Sequence, residues 1–163
     1  MDKRQAETGG REVIDSSIVV LATAAILDHR KVLMVKEEAE PYHERWVLPQ
    51  GYTKAGETLE EATRREVAEE LGSQIEIQRL LGVYEDFEME EAGGRHYIIV
   101  CYLCTLASHQ EIRATPEVID WAWTDPSNVN DEIPRVFQRI LRDITALRRA
   151  RFFPATRSKS SKR

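Results

Sequence analysis

Cysteine is scarce in this 163-residue chain, which carries only Cys101 and Cys104. So low a count excludes a disulfide-stapled secreted scaffold and fits a reducing, cytoplasmic-type compartment. The two thiols sit three apart in the apolar run 97–106. Strand residues three apart point to opposite faces. With no second Cys or His pair at zinc spacing, both read as buried structural thiols rather than a redox or zinc pair. Long apolar runs are missing too, so no stretch has the length a membrane span needs. The polar start MDKRQAETGGRE lacks the apolar stretch of a signal peptide. No internal repeat is present. Basic residues are in the minority, giving a net charge of −5, and they are unevenly placed. From Arg148 to Arg163 there are seven basic residues and no acidic one. The remainder holds 16 basic residues against 28 acidic ones, a balance of −12. An acidic body argues against a general nucleic-acid binder. The tail RRARFFPATRSKSSKR offers RNA or acidic lipid a contact, but its composition is that of a frayed, solubilising terminus.

What remains reads as one mixed α/β domain over residues 16–150, with a flexible N-terminus (1–15) and a disordered basic tail (151–163). Residues 16–27 form a run of β-branched and small apolar residues, a core strand. A polar turn at Asp28–Lys31 leads to a second strand over 32–35, as in a hairpin. Residues 36–45 are a charged loop. Trp46, Val47 and Leu48 form a short strand stopped by Pro49. Further strands are expected over 75–84, 95–106 and 118–123, with loops over 85–94 and 107–116. Residues 131–150 carry apolar side chains at helical spacing, giving a long amphipathic helix with a proline in its first turn.

The organising stretch is residues 51–73, GYTKAGETLEEATRREVAEELGS. Its glycines punctuate a tight loop. Thr58 and Glu61 have the spacing of a capping box, and Gly72 closes a helix over 59–71. Glu66, Glu69 and Glu70 stand three and four apart, hence on one face. Like charges so placed cost a few tenths of a kcal/mol per pair. A hard divalent cation offsets that cost, because Mg2+ and Mn2+ prefer carboxylate oxygen. Taken alone, such Glu/Arg spacing ordinarily marks a solvated, salt-bridged face.

The register favours the cation. Gly51, Glu57, Arg65, Glu66, Val67, Glu69, Glu70 and Gly72 resemble the Nudix box, G-x5-E-x7-R-E-U-x-E-E-x-G-U, with U a bulky aliphatic residue. Only Ser73 departs, standing where an aliphatic is usual. The resemblance implies an α/β/α sandwich with a central mixed sheet, the box as loop–helix–loop, and a long C-terminal helix. It implies a Mg2+- or Mn2+-dependent hydrolase that cleaves a nucleoside diphosphate linked to another moiety. By analogy the metal ligands are Glu66, Glu69 and Glu70 with the Gly51 carbonyl. Water attack would be assisted by a box glutamate (Glu66 or Glu69) or by a downstream one, Glu117, with Glu111 behind it. Arg65 would orient a box glutamate.

Substrate choice rests on less. Pro49-Gln50-Gly51 resembles the Pro-Gln-Gly of Nudix enzymes acting on dinucleoside polyphosphates and RNA 5′ ends. Nudix ADP-ribose pyrophosphatases often carry a proline downstream of the box. Here Met89 stands near that place, and no proline occurs between Pro49 and Pro116. Substrate-binding candidates are Arg45, Gln50, Tyr52 and Arg95, with Arg79 and His43 behind them. Tyr42, Tyr84, Phe87 and Tyr97 are equally readable as base-stacking groups or as core, and His96 as structural. The partner is then a small nucleotide, with RNA as a further candidate and a homodimer consistent with the family. Two other readings compete. One is a non-catalytic nucleotide- or RNA-binding protein, and the other an isoprenoid isomerase, which needs a cysteine at its site.

Overall fold

A computed structural model describes residues 18–87 and 95–150. The expected N-terminal segment, the basic tail and Met89 lie outside the described residues. β1 (Ile18–Asp28) and β2 (Lys31–Glu37) form the expected hairpin, pairing Leu27 with Val32 and Asp28 with Lys31. β3 (Trp46–Val47) extends the sheet from β2. β4 (Gln50–Tyr52) pairs antiparallel with β1, matching Ala22 to Gly51 and Thr23 to Gln50. After helix α1 (Leu59–Leu71) come β5 (Ile75–Asp86) and β6 (His96–Leu106), an antiparallel pair. β6 also lies parallel to β1, which makes the sheet mixed. β7 (Val118–Thr124) pairs with β2, and α2 (Arg135–Arg149) ends the described chain.

The seven-stranded sheet runs β3-β2-β1-β6-β5, with β4 on β1 and β7 on β2. Its centre is buried on both faces. Residues 21–27 of β1 are all buried, odd and even positions alike, and so are Tyr97, Ile99, Val100, Cys101, Leu103 and Cys104 of β6. A strand that alternates side chains between faces can be buried at every position only if both faces are covered. The free thiols of Cys101 and Cys104 are thus core residues, and burial pushes both up in pKa. That removes the cysteine an isomerase would need. α2 contributes Val136, Phe137, Ile140, Leu141 and Ile144 to the core, the apolar stripe read from the sequence. It begins at Arg135 rather than Asp131, because Pro134 takes the N-cap position with extended backbone (φ −56°, ψ 146°). A proline disfavours helix in the residue before it. None of the helices among the described residues is long and apolar enough to cross a membrane.

α1 forms as its local signals dictate. Thr58 accepts from the Glu61 N–H at 3.2 Å, and the Glu61 carboxylate accepts from the Thr58 N–H at 2.7 Å. Gly72 ends the helix in the left-handed region at φ 58°, where a Cβ would also crowd the Arg113 carbonyl. Beyond it, the 107–117 segment straps the helix end. The Arg113 N–H donates to the Leu71 carbonyl at 2.8 Å, and the Thr115 N–H to that of Glu70 at 2.9 Å. The Thr115 hydroxyl donates to the Glu69 carbonyl at 2.7 Å. These bonds satisfy carbonyls that a helix terminus otherwise leaves without partners. Ser73, the departure from the box, is 1% exposed. Its Oγ lies 2.6 Å from the Glu111 carbonyl, so a polar anchor to the strap stands where an aliphatic would pack.

Candidate active site

β4 and α1 face each other across a cavity of about 440 Å³. Glu66 and Glu70 of α1 line it with Gln50, Gly51 and Tyr52 of β4. Glu117, at the end of the strap, and Glu37, at the end of β2, close it with residues 38–42. Gly51 is required by contact rather than by backbone angle, since a Cβ there would overlap the Glu66 carboxylate. We expect Gly51→Ala to push Glu66 aside and lower turnover about a hundredfold, with a stability loss of about 1–3 kcal/mol from overpacking. Initial rates and chemical denaturation check the two effects. Turnover within twofold of wild type would show that Glu66 does not need this position.

Arg65 organises the box. It donates through Nε and Nη2 to both Glu57 oxygens at 3.0 and 2.7 Å, through Nη1 to Glu66 and to Glu69 (3.1 Å), and through Nη2 to the Tyr52 carbonyl at 2.9 Å. The guanidinium holds the Glu57 carboxyl at about 2, well below the ordinary range. Its own pKa rises through these partners. Glu69 differs from the expectation of one shared face. Its side chain is 40% exposed, paired with Arg65 and, at 3.6 Å, with the Lys54 ammonium. Arg65 stands four residues before Glu69, so it meets it on the helix surface and holds it at the rim.

The buried carboxylates behave oppositely to Glu57. Glu70 is 3% exposed, and its Oε2 has no hydrogen-bond partner among the described residues. Burial raises its pKa well above the ordinary value, and the charges of Glu37, Glu66 and Glu117 add to this. The Gln50 N–H opposes them. Burial raises Glu66 against the pull of Arg65. Burial, then the charges of Glu66 and Glu117, push Glu37 up to about 8. Without a cation, the folded protein therefore keeps protons that the unfolded chain sheds above about pH 4.5. Stability must fall as pH rises from there toward 8, since the folded state binds more protons across that window. The melting temperature in EDTA is expected to drop between pH 5 and 8, and a divalent cation should flatten the slope. A rising melting temperature in EDTA would contradict this.

Glu37 is the site residue that sequence reasoning missed. The sequence places it in the charged loop 36–45, but β2 continues through it. The available signal was period two: Leu33 and Val35 are buried on one face, and Glu37 is next on that face. Other candidates are placed elsewhere. Arg45 donates to the carbonyls of Asp131 and Glu132 at 2.9 and 3.0 Å and does not line the cavity. It ties the 38–45 loop to the segment before α2. Tyr52 lines the cavity, where burial raises its pKa and nearby Arg95, which does not line it, pulls it down. Glu111 serves through its carbonyl on Ser73, away from the cavity. Tyr42, Tyr84 and Tyr97 are buried, with Tyr42 donating to Asp86 at 2.8 Å and Tyr84 to Asp143 at 2.7 Å. Phe87 is exposed and stacks on His96, with 4.3 Å between ring centroids. His43 is exposed beside the Glu38 carbonyl, and Arg79 is exposed on β5.

Among the described residues no three His, Cys, Asp or Glu side chains form a ready-made cation cage. The donor set nonetheless fits a hard divalent cation. Glu37, Glu66, Glu70 and Glu117 are among the six glutamates that line one cavity, and the buried Glu70 Oε2 and Gln50 Oε1 have no hydrogen-bond partner among the described residues. Oxygen donors of this kind suit Mg2+ or Mn2+.

A family model, the NUDIX domain, matches residues 18–144. The chain belongs to the Nudix family. Its Nudix fold resembles that of the MutT protein from Methanosarcina mazei Go1 with a TM-score of 0.72, at 18% identity, over 83% of this chain and 98% of that one. An ADP-ribose pyrophosphatase of Methanocaldococcus jannaschii is 30% identical over 61% of this chain and 57% of its own length. The nucleoside triphosphatase NudI of Escherichia coli is 30% identical over 52% of this chain and 64% of its own. The chain thus spans less than two thirds of the length of these curated relatives. The α/β/α sandwich expected from the box is the fold observed, and Nudix hydrolases as a family use divalent metal ions.

Proposed function

We propose that this protein is a Mg2+- or Mn2+-dependent hydrolase cleaving the diphosphate of a nucleoside diphosphate linked to another moiety. The observation that carries this reading is the intact box folded so that Glu66 and Glu70 line a cavity with Glu117. Glu66 and Glu70 would hold the cation, with Glu69 swinging in from the rim and the Gly51 carbonyl contributing. When bound, a divalent cation screens the phosphate charge and acidifies the attacking water. Glu117, exposed at the cavity edge, accepts the proton from that water. The water oxygen bonds to one phosphorus, the bridging P–O bond breaks, and the leaving phosphate takes the electron pair. Arg65 keeps Glu66 and Glu69 in place and is a positioning residue. Tyr52 lines the cavity, where a base or an outer phosphate would rest, with Arg95 near it.

Pro49-Gln50-Gly51 favours a dinucleoside polyphosphate among the candidate substrates, and the ADP-ribose pyrophosphatase relative supports ADP-ribose as the second reading. The test is product analysis with the full chain. Dinucleoside polyphosphates, ADP-ribose, nucleoside triphosphates and nucleotide sugars are each incubated with Mg2+ or Mn2+, and nucleoside monophosphate release is followed. EDTA should abolish it. Binding without turnover of every class in both metals would favour the non-catalytic alternative.

A further inference from the structure

The box accounts for Glu66 and Glu70, but not for Glu37. This residue lies outside the box, yet its side chain is 8% exposed and lines the same cavity. A charged side chain is almost never so buried unless it is paired. The cations of the box are occupied elsewhere, Arg65 on Glu57, Glu66 and Glu69, and Lys54 on Glu69. No ion pair or hydrogen bond to the Glu37 carboxylate is found among the described residues. Its backbone, by contrast, is held twice. The Glu37 N–H donates to the Arg45 carbonyl at 3.1 Å, and the Glu37 carbonyl accepts from the Glu44 N–H at 2.9 Å. The β2–β7 register also shifts between Lys36 and Glu37. The extra residue, Ile119, lies in β7, so β2 keeps its period of two through Glu37, and such bulges are common beside active sites. A second, independent observation points to a missing ligand. Gln50 and Glu70 line this cavity, and their buried Oε1 and Oε2 atoms have no hydrogen-bond partner among the described residues.

We propose that Glu37 is a divalent-cation ligand of this site, supplied by β2 rather than by the box. The fixed backbone and the regular pleat of β2 present its carboxylate to the cavity, where an ion coordinated by Glu70 would also meet it. This rests on the cation reading of the site but not on any particular substrate.

The test is direct Mn2+ binding to the full chain, by electron paramagnetic resonance of the free ion. It compares wild type with Glu37→Gln and Glu37→Asp. Glu37→Gln should weaken Mn2+ binding about tenfold or more or remove one bound ion per chain. Glu37→Asp should restore part of the loss. Folding is checked separately in EDTA, where Glu37→Gln should melt no lower than wild type because it removes a buried like charge. Mn2+ affinity and stoichiometry within twofold of wild type in Glu37→Gln would overturn the proposal while leaving the hydrolase reading intact. Weakened binding in Glu37→Gln, with no substrate of any class hydrolysed by wild type, would uphold Glu37 as a ligand and sink the hydrolase reading. A wild-type chain that binds no Mn2+ would overturn this proposal.

Discussion

Glu70→Gln is expected to lower metal-dependent hydrolysis by a factor on the order of a hundred to a thousand, and to raise the melting temperature in EDTA. The two effects have one cause. Glu70 is a buried carboxylate beside Glu37, Glu66 and Glu117, with the Gln50 N–H as its one favourable contact in the cavity. Glutamine has the same shape, can still accept from Gln50, and brings donors to neighbouring carboxylates that lack them. In the absence of a cation it therefore relieves repulsion. In the presence of one it removes a charged ligand. Wild type should gain stability from saturating Mg2+ by linkage, and the variant should gain less, so the order of melting temperatures reverses between EDTA and Mg2+. Rates with a cleaved substrate and paired melting curves read both effects. Undiminished turnover would remove Glu70 from the metal site. A lower melting temperature in EDTA would show that its charge is compensated in the fold.

Arg65→Lys should reduce kcat about a hundredfold with little change in KM. The guanidinium makes contacts in several directions at once, to Glu57, Glu66, Glu69 and the Tyr52 carbonyl. A lysine ammonium is a point charge on a flexible stem and cannot span them. Because Arg65 is not among the residues lining the cavity, substrate should bind much as before while the carboxylates lose their alignment. Mn2+ affinity should fall in parallel, a readout that a purely structural role would not move. A variant that raised KM at unchanged kcat would instead place Arg65 against the substrate.

Legibility in the sequence followed how local the determinants are. α1 was readable to the residue, because Thr58, Glu61 and Gly72 are caps that act within one turn. β1 and β6 were readable to within two residues, since burial of both faces leaves nearly continuous apolar runs. β4 was not, because three residues behind a proline become a strand only through pairing with β1, which lies far away in sequence. Glu37 was hidden for a related reason. A glutamate in a charged run reads as solvated, and only the fold, which brings the end of β2 to the cavity lined by Glu66 and Glu70, buries it. The three glutamates of the box were readable as a set, but Glu69's hold on Arg65 and Lys54 was not. Helix geometry fixes where a Cβ points, and the partner that captures a long side chain is decided by its neighbours.

The strap over the end of α1 carries a consequence for how this scaffold can diversify. Two of its three bonds to the helix, from Arg113 and Thr115 to the carbonyls of Leu71 and Glu70, run between backbone atoms. Glu117 follows two residues later. Its position is thus set by main-chain geometry together with the Thr115 hydroxyl, which also accepts from the Glu117 N–H at 3.3 Å. Residues 108–114 can change their chemistry without moving the candidate base.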